Sequence, residues 1–538
     1  MTDRETIHTA ARALVDAAVT ATRTLTRDGE AIDEHQVVVE RIAYLATQAR
    51  TLAELARVPA SLAPAADVAA AEIAADLAHR LGPIAPTLGM PLPIYAAEVA
   101  AAIARGVAPA AVEALGVTAI ADGGPPLWPH DELLGEVRST TRAFADREVA
   151  PHAEHIHRHD ELVPERFITE MAKQGYFGLS IPEAYGGHEL GNLAMILTTE
   201  ELSRASLAAA GSLITRPEIL AKALLAGGTD AQRTHWLPRL ASGETMAAIS
   251  VTEPNVGSDV AAVACRAERD TDGDGWSITG AKAWCTFAGR ADVIALLART
   301  GAASDGARGL TLFVVEKPRF DGHEFTATQP GGGTLAGKAD RTPGYRGMHS
   351  FTLAFDRWRV PASALVGGEA GLGRGFVLQM AGFVAGRLQT GGRACGVTLA
   401  AIEHTARYVA DRRQFGHPIG DFGLTRYHMG RMVSRLVAAR AITYAAASAM
   451  DAGEVPGAPT MAAHESAATL AAMSKLFACD IAVEVTQLGQ LLHGGWGYAE
   501  EYPISRCVAD AQVLPIFEGV KPILALKVIG RAVLGRTR

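Results

Sequence analysis

The sequence predicts a mainly α protein with a central β domain, on three observations. Apolar residues recur at helical spacing from the N-terminus to about residue 244. Between about 245 and 365 the period falls to two, with Gly/Asp turns between the alternating runs. After Gly375 long helical patterns return and continue almost to Arg538. With 538 residues, 49% apolar and 20% charged, the chain can build more than one packed core.

The first segment, 1–122, is Ala-rich and helical. Leu14, Ala17, Ala18 and Ala21 would line one buried face, and Val38, Ile42, Leu45 and Ala49 another. Asp33 is placed to cap the second helix, and Pro59, Pro64, Pro83 and Pro91 punctuate the later ones. The segment carries no nucleophile, metal-ligand spacing or glycine-rich phosphate loop, so it reads as a structural or oligomerisation domain. Asp122-Gly123-Gly124-Pro125-Pro126 is a linker by composition.

The second segment, 127–244, holds longer amphipathic helices. Leu134, Val137, Thr141 and Phe144 share one face, and Phe167, Met171 and Ala172 mark a further helix. Gly175 to Pro182 reads as an extended exit, followed by the Gly186-Gly187 turn and a helix carrying Glu200, Leu202 and Arg204. In the third segment, 245–370, the strand candidates are Met246–Val251, Trp276–Thr279, Val293–Leu297, Leu310–Val315 and Phe351–Phe355. Asp272-Gly273-Asp274-Gly275 is a hairpin signal. The fourth segment, 371–538, is a helical bundle broken near 453–459 by a Gly/Pro loop.

Net charge is −8 with no long Lys/Arg run, which speaks against nucleic acid or an anionic membrane as the main partner. The five cysteines lie far apart without a Cys-x-x-Cys pair, so neither a disulfide frame nor a cysteine metal site is expected. The N-terminus lacks an apolar signal core, and no uninterrupted apolar run reaches about eighteen residues. A cytoplasmic location without membrane insertion is therefore expected.

The residues suited to chemistry concentrate after residue 250. Ser250-Val251-Thr252-Glu253-Pro254 and Gly257-Ser258-Asp259 follow a strand end, where hydroxyl and backbone N–H donors can line a polar ring or a pyrophosphate. On a strand, Trp284 and Thr286 would offer a flat apolar wall and a hydroxyl on one face. Arg412, near a helix end beside Phe415, suits a phosphate and an aromatic ring. Gly494-Gly495-Trp496-Gly497-Tyr498 precedes Phe517-Glu518-Gly519, where a carboxylate sits beside a glycine. On the floor of a dry pocket such a glutamate would have its charged form disfavoured and so suit proton abstraction. Taken singly, these are more often capped turns, a core tryptophan and solvated helix ends.

In this order and spacing, over about 130–538, the motifs together resemble the acyl-CoA dehydrogenase family. The resemblance implies a helical domain, a β-barrel-like domain and a C-terminal four-helix bundle, here with an extra N-terminal helical domain, in a homodimer or homotetramer. It implies FAD-dependent α,β-dehydrogenation of an acyl-CoA thioester. Glu518 would remove the α-proton while a hydride leaves the β-carbon for flavin N5. By the same resemblance Thr252 and Thr286 bond the flavin ring, Trp284 walls it, and Ser258 lines the flavin and thioester region. Arg412 and Phe415 match contacts to the FAD of a neighbouring subunit, and Gly494 and Gly495 match a cofactor-binding turn. Arg387 and Gly519 would border the substrate, and the Glu518 backbone N–H would donate to the thioester oxygen. No metal is implied, and electron-transfer flavoprotein is the family's usual acceptor.

Some branches carry the base just before the arginine that matches Arg387, but that position is Gly386, which leaves Glu518. Leu491 stands where the family often has Gln, Val520 and Pro522 replace its Thr and Gln, and Val384 replaces an acid. Contacts to the adenosine part of FAD depart from the pattern accordingly.

The front segment, with Ile214 to Ile219, Gly386 to Thr390 and Tyr498 to Glu501, resembles the methylsuccinyl-CoA dehydrogenase branch. That implies conversion of (2S)-methylsuccinyl-CoA to mesaconyl-CoA in the ethylmalonyl-CoA pathway. A buried second carboxylate needs a cation, and Arg216 is the nominee, with Arg346 next. Two alternatives stand beside this. One is a short or branched monocarboxylic acyl-CoA as substrate. The other is a non-catalytic, DNA-associated flavoprotein of the same fold, which the net charge of −8 disfavours.

Overall fold

The computed structural model describes residues 2–270, 275–453 and 466–535. Residues 272–274 of the expected hairpin and 454–459 of the expected loop lie outside them. By compactness the chain divides into two units, 1–136 with 390–538, and 137–389. The first and fourth sequence segments thus fall largely in one unit, and the second and third in the other. The division passes between Gln389 and Thr390, within the helix Gly375–Asp411.

In the first unit, the front helices are Asp3–Leu25, Gln36–Leu55, Ala63–Leu81, Ala97–Gly106 and Pro109–Ala121. The buried stripe of the first runs through Ile7, Ala11, Val15, Ala18 and Thr22, so of the four residues expected only Ala18 is fully buried. Alanine is apolar enough to lie on either side, and the larger Ile7 and Val15 set the face. In the second helix Val38, Ile42, Leu45 and Ala49 are all buried, as their spacing predicts. Its N-cap is His35, not Asp33, which lies in the preceding 3-10 turn.

Stretch 97–121 is apolar enough on average to pass as a membrane span by length and composition. It forms two helices, the second opening at Pro109, and carries Glu98, Arg105 and Glu113. Its second helix packs closely on the helix Gly423–Ala452. A Cβ on Gly116 would meet the Arg426 carbonyl oxygen at 1.8 Å, and one on Gly430 would meet that of Val112 at 1.9 Å. Glu72, on a front helix, pairs with Arg431 at 2.8 Å. The helix Ala467–His493 follows, then Pro503–Ala511 and the interrupted helical run from Lys521 to Leu534.

In the second unit, helices Glu165–Lys173, Gly191–Ala205, Thr215–Gly227 and Asp230–Ala241 precede the sheet. Between the first two, the expected extended exit is instead a 3-10 turn, Tyr176–Gly178. Thr229 starts the last helix with a capping box that Gln232 closes. The strands are β1 (Ala247–Ser250), β2 (Arg266–Arg269), β3 (Gly275–Thr286), β4 (Val293–Arg299), β5 (Leu310–Glu316), β6 (Glu324–Thr328), β7 (Thr334–Ala339) and β8 (Ser350–Pro361). They make one curled sheet in the order β1-β4-β2-β3-β8-β7-β6, with β5 on β4.

All five strand candidates are strands, while β2, β6 and β7 are additional. Those three are short, and β7 is interrupted by Gly337, whose Cβ would strike Phe325 at 2.3 Å. Every residue of β4 is buried, which explains its continuous apolar run. Ala247, Val293, Ala295, Leu312 and Val314 pack with Leu220, Leu224, Trp236 and Leu240 in the unit's core.

Candidate active site

In the second unit, a buried ion pair fixes the loop that follows β1. Lys282, fully buried, donates to Glu253 Oε1 and to the Val251 carbonyl, each at 2.9 Å. Burial pushes this ammonium below its usual range, and Glu253 opposes that shift. Glu253 also accepts the N–H groups of Ala264 and Cys265 at 2.9 and 2.8 Å. The Thr252 carbonyl accepts the Ala283 N–H at 2.9 Å, so Thr252 stands beside the Trp284 segment. Ser258, farther along the loop, is exposed.

The β3–β8 register slips between Lys282 and Cys285, and Trp284 and Phe287 adopt left-handed backbone at φ 57° and 70°. Simple alternation therefore fails here, against expectation. Trp284 is 58% exposed, whereas Thr286 is buried. A bulge re-aims side chains in this way, and such a strained backbone persists only where its surroundings hold it. Thr286 Oγ1 lies 3.0 Å from Ser350 Oγ. Between Trp284 and Thr286, Cys285 is fully buried and its thiol is pushed up to about 12 by burial, against the charges of Lys317 and Arg216.

Arg216 is thus near this segment. It lies in the first turn of Thr215–Gly227 at 5% exposure, so it is no surface residue. Arg346 donates to the carbonyls of His157 at 3.0 Å and Thr342 at 3.2 Å, which occupies the second nominee. Arg387 is half-buried on the helix Gly375–Asp411.

In the first unit, Glu518 sits in left-handed backbone at φ 55°, followed by Gly519 at φ 102°. Its side chain is 7% exposed, and the fully buried guanidinium of Arg393 approaches its Oε1 to 4.0 Å. Arg393 also stacks over Phe517, 4.6 Å from the ring centroid. Lys475, fully buried, donates to the carbonyls of Phe517 and Gly519, on either side of Glu518. Neither cation was anticipated. Lys475 is the one charged residue in the largely apolar run Leu470 to Cys479, and a charge in such a run is the signal that marked it.

Arg412, Gly494 and Gly495 come together around a cavity of about 560 Å³ that Tyr408, His493 and Trp496 also line. His493 Nδ1 lies 2.7 Å from the Gly489 carbonyl, and its ring stacks on Tyr408. Space is open above Gly494 and Gly495, where an added Cβ would meet nothing within 4 Å. The strands β9 (Arg413–Gln414) and β10 (His417–Pro418) form a hairpin whose two turn residues, Phe415 and Gly416, both have positive φ. That turn holds Phe415 outward at 91% exposure.

Three family models match the chain. They are the acyl-CoA dehydrogenase N-terminal domain over residues 132–244, the middle domain over 248–358 and the C-terminal domain over 373–534. A (2S)-methylsuccinyl-CoA dehydrogenase from Cereibacter sphaeroides is 40% identical over 75% of this chain and 70% of its own length. An acyl-CoA dehydrogenase from Bacillus subtilis is 33% identical over 74% of this chain and 98% of its own. Among solved structures, butyryl-CoA dehydrogenase from Megasphaera elsdenii superposes with a TM-score of 0.67 at 28% identity, covering 76% of this chain and all of that one.

Proposed function

The chain belongs to the acyl-CoA dehydrogenase family, and we propose that it converts (2S)-methylsuccinyl-CoA to mesaconyl-CoA, a step of the ethylmalonyl-CoA pathway, in the cytoplasm. It is an FAD-dependent oxidoreductase of the acyl-CoA dehydrogenase type. One observation carries the choice of substrate. Arg216, in the first turn of Thr215–Gly227, is a cation held at 5% exposure. A second carboxylate buried with the acyl chain needs a counter-charge of this kind. The 40% identity with the relative of that name supports the same reading.

The residues present fit FAD. The open cradle over Gly494 and Gly495, lined by Arg412, suits a phosphate-bearing group. The exposed Trp284 and Phe415 are aromatic faces with room for a ring. In our reading Thr252 and Thr286 bond the flavin ring, Trp284 walls it, and Ser258 lies at its edge beside the thioester. Phe415 and Arg412 face outward to the FAD of a neighbouring subunit, in a homodimer or homotetramer. When bound, FAD supplies the two-electron acceptor for the β-hydrogen.

Glu518 takes the α-proton on a carboxylate oxygen. Lys475 fixes the backbone on both sides of that base, and Arg393 packs against its carboxylate and the Phe517 ring. In our reading the backbone N–H of Glu518 donates to the thioester oxygen as negative charge develops there. Gly519, without a side chain, and Arg387 border the acyl group. Electron-transfer flavoprotein is the acceptor we propose, and the four segments 1–122, 127–244, 245–370 and 371–538 are the functional divisions.

The test is anaerobic mixing of the FAD-loaded enzyme with a panel of acyl-CoAs, followed by mass detection of products. Methylsuccinyl-CoA should bleach the flavin and yield mesaconyl-CoA, and Glu518→Gln should keep its flavin but lose nearly all bleaching. Preferential oxidation of butyryl-CoA would replace the substrate, and full bleaching in Glu518→Gln would remove the base.

A further inference from the structure

Three side chains in the second unit, from separate parts of the chain, bring metal-ligating atoms together outside the residues discussed so far. Asp160 ends the helix Ala150–His159, His323 immediately precedes β6, and His349 immediately precedes β8. One ligating atom from each lies within 4.8 Å of the other two. His349 Nε2 is 3.0 Å from Asp160 Oδ1, and the two imidazole centroids are 4.5 Å apart.

We propose that Asp160, His323 and His349 form a binding site for a divalent transition-metal ion of the zinc class. Two imidazoles and one carboxylate are a donor set suited to such an ion, which takes bonds of about 2.0–2.2 Å and so holds its ligands roughly 3.3 Å apart. The Asp160–His349 pair already has that spacing. His323 is exposed, so it can close the remaining gap by rotating its side chain, and the ion has a route from solvent.

His349, at the back of the site, is only 4% exposed and would bind the ion through Nε2, the nitrogen that faces Asp160. Its Nδ1 would then carry the ring N–H. Asp160 and His349 are also both held in left-handed backbone, at φ 55° and 43°. One charge opposes the ion: Arg346 Nε lies 3.4 Å from Asp160 Oδ1.

The location gives the site a consequence. The His349 carbonyl accepts the Phe287 N–H at 2.8 Å, and the next residue, Ser350, meets Thr286. A bound ion would fasten the helix end at Asp160 to the strand ends beside the Trp284–Thr286 segment. The inference rests on these ligands alone and is independent of the substrate assigned above.

The experiment uses tag-free, FAD-loaded enzyme stripped with a chelator, dialysed against zinc ion alone and read by elemental analysis. One saturable zinc per chain is expected. His323→Gln, at an exposed position, and Asp160→Asn should each weaken it at least about 100-fold while retaining bound flavin. Arg346→Gln, which removes the opposing charge, should tighten it. Absence of a saturable equivalent would overturn the proposal, and so would an equivalent that His323→Gln leaves unchanged.

Discussion

Tyr44, on the second front helix, and Lys521, three residues beyond Glu518, hold the same carboxylate. Tyr44 Oη donates to Asp480 Oδ2 at 2.9 Å, and Lys521 Nζ donates to Oδ1. Burial and the Asp480 charge push the Tyr44 phenol far above its usual range, so it remains a donor. The Arg80 guanidinium lies over its ring, 4.7 Å from the centroid. The helices that precede the family's own domains therefore bear on the loop that carries Glu518.

Tyr44→Phe should expose that coupling. Losing a hydrogen bond to a charged acceptor costs about 1–3 kcal/mol, and it leaves Lys521 as the remaining anchor of Asp480. We expect a lower Tm and a reduced kcat with flavin content intact. Calorimetry and steady-state rates check this, and a variant indistinguishable from the parent in both would disprove the coupling.

Lys475→Met should act on the base without touching substrate. It removes the donor shared by the Phe517 and Gly519 carbonyls, freeing the left-handed backbone at Glu518. A displacement of roughly 1 Å at a reacting group costs on the order of 100-fold in rate. The fall should appear in kcat with KM little changed, and Lys475→Arg should restore part of it. A loss confined to KM would argue against a positioning role.

Arg216→Leu should separate dicarboxylic from monocarboxylic substrates. A carboxylate buried without its partner loses several kcal/mol, so KM for methylsuccinyl-CoA should rise on the order of 100-fold. Butyryl-CoA, which has no second charge, should be nearly unaffected. Equal effects on both would reassign Arg216 to a structural role.

His493 sets a pH dependence. Burial holds its imidazole below the usual value of about 6.5, although the bond to the Gly489 carbonyl works the other way. Between that lowered value and about 6.5 the unfolded chain binds the extra proton, so stability rises with pH across this window and falls as pH drops through it. His8 and His428, also lowered by burial, add slopes of the same sign. Denaturant melts at pH 5 and pH 7 should show less stability at the lower pH, and His493→Gln should flatten the difference. An identical difference in the variant would clear His493 of the effect.

Which parts were legible follows from the range of the interactions. Val38, Ile42, Leu45 and Ala49 could be placed inside because a large apolar stripe at helical spacing has one way to be buried. The first helix was misread by one position because an alanine-rich surface gives weak preference to any face. β6 and β7 escaped notice because they are short and sit at the end of the sheet, where partners rather than propensity define them. The cradle at Gly494 and Gly495 could be named from its motif, but that Arg412 lines the same cavity needed the fold.

The sequence by itself determined the family and the helix–sheet–helix order, and it singled out Glu518 as the base we propose, because local periodicity and collinear motifs survive without coordinates. Only the tertiary structure decided that two buried cations, Lys475 and Arg393, surround Glu518, and that a strand bulge turns Trp284 outward. It alone joined Tyr44 to Lys521 through Asp480. Each of these depends on burial and on charges brought together from distant parts of the chain, and neither spacing nor composition encodes them.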